Sequence, residues 1–227
     1  MSVRSTASRR LVSARNTASV NHSPTQSMAL FGTDGVRGVF GKDLTTELAH
    51  DLAVAAGCVL SERGEFQGHR PFAVVGQDSR ASGEALEMAV TQGLVAVGID
   101  VYRVGVLPTP AVAFLVASRG ADLGVMISAS HNPATDNGIK FFARGGGKLP
   151  DALEEKIEAR LGEAIESDSG NQGRVIVDTQ ARESYIDHLL ASISGDLAGV
   201  KVVVDCANGA ASFTAPDAYR RGGCRRG

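Results

Sequence analysis

Short apolar runs alternate with amphipathic helical stripes from Thr45 to Phe142, and this alternation restricts the fold more than any other feature of the chain. Pro71 to Gly76, Ile99 to Val104 and Leu123 to Ile127 read as short buried strands. Leu48, Leu52, Ala55, Ala56, Val59 and Leu60 recur at helical spacing over Thr45 to Arg63, and Leu86, Val90, Leu94 and Val97 do so before Gly98. Pro108-Thr-Pro110 opens a further helix that runs to Ser118. A strand that feeds a helix returning to another strand is the unit of a layered α/β domain. Spacing alone does not give the strand order, and the expectation is a mixed sheet.

Local signals set the expected ends. Thr45 or Thr46 caps the first helix and Gly64 follows it. Ser82 is the expected N-cap of the second helix, a role that contributes about 1 kcal/mol. Thr109 is the expected cap of the third, with Pro110 at the first helical position, where a missing N–H is harmless.

Ile127 to Phe142 interrupts the pattern. The run Leu123 to Ile127 enters it and Ile139 to Phe142 leaves it, with serines, a histidine, asparagines, a proline and a glycine between. That is the composition of an ordered loop. Asn132, preceding Pro133, is steered away from the helical region. Ser130 therefore lies just past a strand's C-terminal end, where α/β proteins place their chemistry. A serine hydroxyl is a weak nucleophile and needs a neighbour to take its proton. His131 is adjacent, and Lys140 can return to the site from the following strand. Taken locally, the same residues equally make a turn whose hydroxyls bond their own backbone.

Two more loops carry chemistry. In Phe31-Gly-Thr-Asp-Gly-Val-Arg-Gly38 the glycines allow close backbone approach to a ligand, and Arg37 can fork onto phosphate oxygens. The plain alternative is a glycine-rich turn with a solvated arginine. In Gly76-Gln-Asp-Ser-Arg-Ala-Ser-Gly83, Asp78 and Arg80 form either a structural pair or a substrate contact.

Ser128-Ala-Ser-His-Asn-Pro133 followed by Asp136-Asn-Gly-Ile-Lys140 resembles the phosphoserine loop of the α-D-phosphohexomutases, and most closely that of the bacterial phosphoglucosamine mutases. The resemblance extends from about Met28 to about Ser212 and takes in both glycine loops, with Gln77 standing where the family often has a lysine or arginine. It implies that Ser130 carries a phosphoryl group, that His131 and Lys140 handle protons and charge, and that Arg37 faces the active-site cleft. Arg37, Arg80 and Asn132 become candidate phosphate or substrate contacts. The implied reaction interconverts glucosamine 6-phosphate and glucosamine 1-phosphate through a sugar bisphosphate. The sugar could also be that of a phosphomannomutase or phosphoglucomutase, and a non-catalytic interaction module built on a mutase domain is the reading from another class.

The resemblance also implies Mg2+, bound by phosphorylated Ser130 together with an Asp-rich loop. No Asp-x-Asp-x-Asp string occurs in the chain, so Ser130's phosphate oxygens are the only metal ligands expected here. The family's sugar-recognition and distal phosphate loops are likewise missing from the sequence, and the chain alone is expected to be inactive.

Composition narrows the setting. A length of 227 residues holds one or two domains, and a net charge of −2 gives no sign of a nucleic-acid partner. No apolar run approaches the length of a membrane span. The three cysteines, Cys58, Cys206 and Cys224, lack metal-ligand spacing, and a reducing cytoplasm is the expected location.

The expected organisation has three parts. Residues 1–27 contain no acidic residue and no apolar period, and are expected to be a disordered extension upstream of the start used by relatives. Residues 28–194 form the first domain, completed by a charged helix over Asp151 to Glu166, a strand over Val175 to Val177 and a helix over Arg182 to Ile193. Residues 195–227 are a linker and the truncated start of a second α/β domain at Val200 to Gly209, followed by an aberrant, structureless tail from about residue 213.

Overall fold

A computed structural model describes residues 30–66, 68–163 and 171–226. The expected disorder of residues 1–27 lies outside the described residues. Six strands form one sheet: β1 (Val36–Val39), β2 (Phe72–Gln77), β3 (Asp100–Val106), β4 (Leu123–Ile127), β5 (Asp136–Ala143) and β6 (Val175–Val177). Their order is β1-β5-β4-β2-β3-β6. The run β4-β2-β3-β6 is parallel, whereas β5 is antiparallel to both β4 and β1. The expected mixed α/β sheet is therefore present. Residues 128–135 between β4 and β5 are too few for a parallel crossover, which needs about a dozen or more, so the pair is antiparallel.

Helices cover both faces. α1 (Thr46–Glu62), α2 (Gly83–Ala96) and α4 (Asp151–Ala159) enclose a core with Ala73, Val75, Val101, Val125, Ile139 and Phe141. α3 (Thr109–Arg119) and α5 (Ala181–Ala191) close the other side over Val74, Val104, Met126 and Phe142. Alternate residues of each strand thus serve opposite cores, as the period of two requires. The chain runs from β2 to β3 on one side and from β3 to β4 on the other, with α2 and α3 on opposite faces. The C-terminal ends of β2 and β4 consequently flank a topological switch point, where open α/β sheets bind their ligands.

Several helix starts differ from expectation. Thr45 caps α1, accepting from the Leu48 N–H at 3.2 Å. Ser82 stands at the N-cap of α2 but makes no capping bond. Its oxygen instead accepts from Asn137 Nδ2 at 2.9 Å, an acceptor role for a buried β5 amide. In α3 the cap position is Pro108, so Thr109 already lies inside the helix. α4 ends at Ala159, and part of its expected continuation to Glu166 lies outside the described residues.

The chain beyond residue 194 also departs from expectation. Only Lys201–Val202 of the expected opening strand forms β7, and Val203 stands 90% exposed. The tail is not structureless: a 3-10 turn (Ala210–Phe213) leads to α6 (Ala215–Arg221), and β8 (Arg225–Arg226) pairs in parallel with β7. α6 buries none of its residues. Ion pairs tie it to α5 instead, Arg182 to Asp217 and Arg221 to both Glu183 and Asp187. A helix held by charges across its flank leaves no apolar period to read.

At the N-terminal edge of the sheet Asp100 is buried between Arg70 and Arg174. Burial opposes its charge, but hydrogen bonds from Arg174 and Arg70 prevail and hold the carboxyl at about 2, below its usual 3.8. A carboxylate depressed on folding stabilises fully above the unfolded value and loses that contribution as pH falls through the folded one. Both arginines are partly exposed, so the contribution is screened to about 1 kcal/mol. In urea unfolding at pH 5, 3 and 2, the gap between the parent and Asp100→Asn is expected to be largest at pH 5 and to close by pH 2. A gap independent of pH would assign the loss to packing rather than charge.

Candidate active site

The site is built where β2 and β4 end. Asp78 N–H donates to the Ile127 carbonyl at 2.9 Å and binds the two strand ends together. Ser128 N–H donates to the Gly138 carbonyl at 2.9 Å and keeps Ser128 in the sheet. The chain then turns at Ser130, whose φ of 57° is left-handed, a conformation that bulky L-residues avoid. A backbone bond from Asn132 N–H to the Ala129 carbonyl, 3.1 Å, closes the turn. Ser130 is exposed while Ala129 before it is fully buried. The sharp turn therefore presents Ser130 at the sheet's end.

A relay of polar groups fixes that turn from beneath. Ser130 N–H donates to Ser128 Oγ at 3.0 Å, and Ser128 Oγ donates to Asp78 Oδ2 at 2.7 Å. The same Asp78 oxygen accepts from Arg80 Nε at 3.0 Å. Ser130 Oγ lies 3.3 Å from His131 Nδ1, a geometry in which either can donate according to the ring's tautomer. On the outer side, Asn132 Nδ2 donates to Asp136 Oδ2 at 3.0 Å and Thr135 Oγ1 to Asp136 Oδ1 at 3.2 Å.

Arg80, expected as a phosphate or substrate contact or as the partner of Asp78, directs its donors into the loop. Nε is taken by Asp78, Nη1 donates to the carbonyls of Pro133 (2.6 Å) and Asp136 (2.9 Å), and Nη2 to those of Ser130 and Asn132 (both 2.9 Å). A guanidinium has five N–H donors, and these five bonds engage all of them. The side chain is only 10% exposed. Arg80 lies under the loop with no donor left for an incoming phosphate. The Asp78–Arg80 pair of the sequence is present, widened from Asp78 to the whole loop.

The two other cations sit across the neighbouring strands. Arg37 on β1 faces Gly138 on β5, and Ser128 adjoins Gly138 from β4, so the three form a row across the sheet. Gly138 has to lack a side chain: a Cβ there would lie 2.6 Å from the Ser128 carbonyl and 3.0 Å from Arg37 Cγ. Gly35, at φ 87°, likewise presses on β5, where a Cβ would meet the Ile139 carbonyl at 2.3 Å. Lys140, two residues beyond Gly138, shares its face. Asp34 receives both cations, Lys140 Nζ at 3.4 Å and Arg37 Nη2 at 3.5 Å. Arg37 Nε is buried with no hydrogen-bond partner. Beside it opens a pocket of about 350 Å³ lined by Gly32, Thr33, Asp34 and Gly35.

Thus Ser130, His131 and Asn132 share one loop, and Arg37 and Lys140 share one carboxylate. Among the described residues no hydrogen bond joins the two groups. Sequence reasoning gave no role to Ser128, Asp34 or Gly138, whose parts depend on partners on other strands. The described residues do not make a Mg2+ cage. Both oxygens of Asp78 and of Asp136 already accept hydrogen bonds, and no cluster of three or more His, Cys, Asp or Glu among the described residues is arranged to hold a metal.

The chain is thus an α/β domain that presents a left-handed serine at a switch point, with an arginine and a lysine on the two strands beyond β4. Residues 28–168 match the family model for phosphoglucomutase/phosphomannomutase, alpha/beta/alpha domain I, and the chain belongs to that family. It is 62% identical to a phosphoglucosamine mutase of Thermobifida fusca over 195 residues, covering 86% of this chain and 43% of the relative. It is 59% identical to the phosphoglucosamine mutase of Acidothermus cellulolyticus, covering 86% and 42%. A phosphoglucomutase/phosphomannomutase family protein of Burkholderia thailandensis superposes with a TM-score of 0.72 at 29% identity, over 88% of this chain and 43% of that one. The chain spans less than half the length of the curated relatives it matches. Among the described residues no helix is long and apolar enough to cross a membrane.

Proposed function

We propose that this chain is the phosphoserine-bearing portion of a phosphoglucosamine mutase of the reducing cytoplasm. The observation that carries the reading is the exposed, left-handed Ser130 at the end of β4, with His131 Nδ1 3.3 Å from its hydroxyl. The names of the relatives support the choice of sugar.

In the proposed reaction the Oγ–P bond of phosphorylated Ser130 breaks as a P–O bond forms to a hydroxyl of the sugar monophosphate. The proton that the sugar hydroxyl releases is the one that Ser130 Oγ takes up, relayed by His131, whose Nδ1 lies 3.3 Å from that oxygen. The product is glucosamine 1,6-bisphosphate, which turns over and returns its other phosphoryl group to Ser130. Arg37 and Lys140 offset the negative charge that spreads over the transferring oxygens. Bound Mg2+ would add further charge neutralisation, with the Ser130 phosphate as this chain's contribution to its ligands.

Phosphate mapping tests the assignment. Intact-mass measurement and peptide mapping are expected to place a phosphoryl group on Ser130, and Ser130→Ala to lack it. Phosphate found only on Ser128, or persisting in Ser130→Ala, would refute the reading.

A further inference from the structure

We infer that Arg80 is a positioning residue that sets the reactive conformation of Ser130 without touching substrate; the inference rests on the assignment of Ser130 as the phosphorylated residue. Four carbonyls spread over Ser130 to Asp136 converge on one guanidinium, each within 2.9 Å. A loop of this length has many conformations of similar energy, and fixing each residue opposes the ordering by about 1 to 2 kcal/mol. Bonds from a charged donor are the strong class, and Arg80 supplies five of them from a planar fork that cannot rotate between partners independently.

The direction of these carbonyls decides what the loop shows to solvent. The peptide bonds are trans, so the His131 N–H points opposite to the Ser130 carbonyl. With that carbonyl drawn inward to Arg80, the His131 N–H faces away from the guanidinium, on the outer side of the loop, as does the Ala134 N–H behind the Pro133 carbonyl. Among the described residues neither N–H has a backbone acceptor. Arg80 thereby turns backbone donors outward beside Ser130, where a phosphoryl group would sit, while its own charge remains underneath. Ser128 adds a second, weaker hold through its bond to the Ser130 N–H.

Lysine retains the charge but not the fork. In chain 1–227, Arg80→Lys is expected to speed amide exchange at Ser130, Asn132 and Asp136 by roughly 10- to 100-fold, the equivalent of losing one or two charge-assisted bonds. Exchange at Asp78 and Ser128, whose acceptors lie in the sheet, should stay unchanged. Ser128→Ala provides the control if the arginine variant folds poorly. It should free the Ser130 amide alone and leave Asn132 and Asp136 protected by Arg80. Equal loss at all three sites in Ser128→Ala, or no loop-specific loss in Arg80→Lys, would overturn the proposal.

A kinetic arm separates positioning from binding. In a chain continued through the length of its relatives, Arg80→Lys is expected to lower kcat by about 100-fold, as misplacement of a reacting group by 1 Å can do. KM should change less than threefold. A raised KM at unchanged kcat would make Arg80 a substrate ligand instead. The exchange arm needs no turnover, so it stands or falls independently of the proposed reaction.

Discussion

Phe141→Ala is expected to lower the unfolding free energy by about 3 to 5 kcal/mol, the range found for deleting a large buried ring. Phe141 is fully buried in the middle of β5, opposite Val125 of β4, and its ring lies 6.2 Å from that of Phe31. It belongs to the core under α1, α2 and α4, on the strand that lies between β1 and the parallel strands. Backbone movement into the gap is limited, because Phe141 is paired with Val125 of β4 on one edge and its carbonyl accepts from the Leu149 N–H on the other. Domains of this size have only about 5 to 15 kcal/mol in total, so the variant should be marginal. Urea unfolding with linear extrapolation measures the effect. Phe141→Leu, which retains most of the volume, should lose less than half as much. A loss below 1 kcal/mol for Phe141→Ala would mean that β5 is not what seals this core. The consequence for chemistry follows from Lys140, which precedes Phe141 in the same strand, and from Arg37, which is carried by the strand that pairs with it.

The sequence made the central parallel strands legible because each is a run of apolar residues between turn signals. It also placed Ser130 beyond the last of them. β1 was not legible: Val36–Val39 contains a glycine, an arginine and too few apolar residues, and it exists as a strand only because β5 offers it an edge. Ser82 shows the limit of cap rules. Its composition signal was right for a helix start, but a buried amide 55 positions away on β5 engages the hydroxyl instead. Arg80 is the same lesson at the site. Its bond to Asp78 is local and is one of the two readings the sequence offers, whereas its four carbonyl acceptors lie 50 to 56 residues further along the chain. α6 escaped for the opposite reason, being held by ion pairs to α5 and burying nothing.

Chain 1–227 is expected to turn over glucosamine phosphate at least about 10³-fold more slowly than the same chain continued through the length of its relatives, the loss that follows removal of one key cation in phosphoryl transfer. The reasoning concerns charge and alignment. A phosphoryl group on Ser130 carries about two negative charges at neutral pH. Of the cations in this chain's site, Arg80 is fully engaged by the loop, while Arg37 and Lys140 already share Asp34. They can steady the phosphoserine, but among the described residues no carboxylate cluster is arranged to hold a divalent ion opposite it. A serine phosphate without in-line alignment and charge neutralisation is a stable monoester. The measurement is a coupled assay of both chains with magnesium and glucose 1,6-bisphosphate, beside Ser130→Ala of each. The longer chain should lose its activity in Ser130→Ala, and the short chain should be indistinguishable from its own variant. Magnesium-dependent turnover by 1–227 that disappears in Ser130→Ala would show that Arg37, Lys140 and the Arg80-held loop already contain the catalytic power.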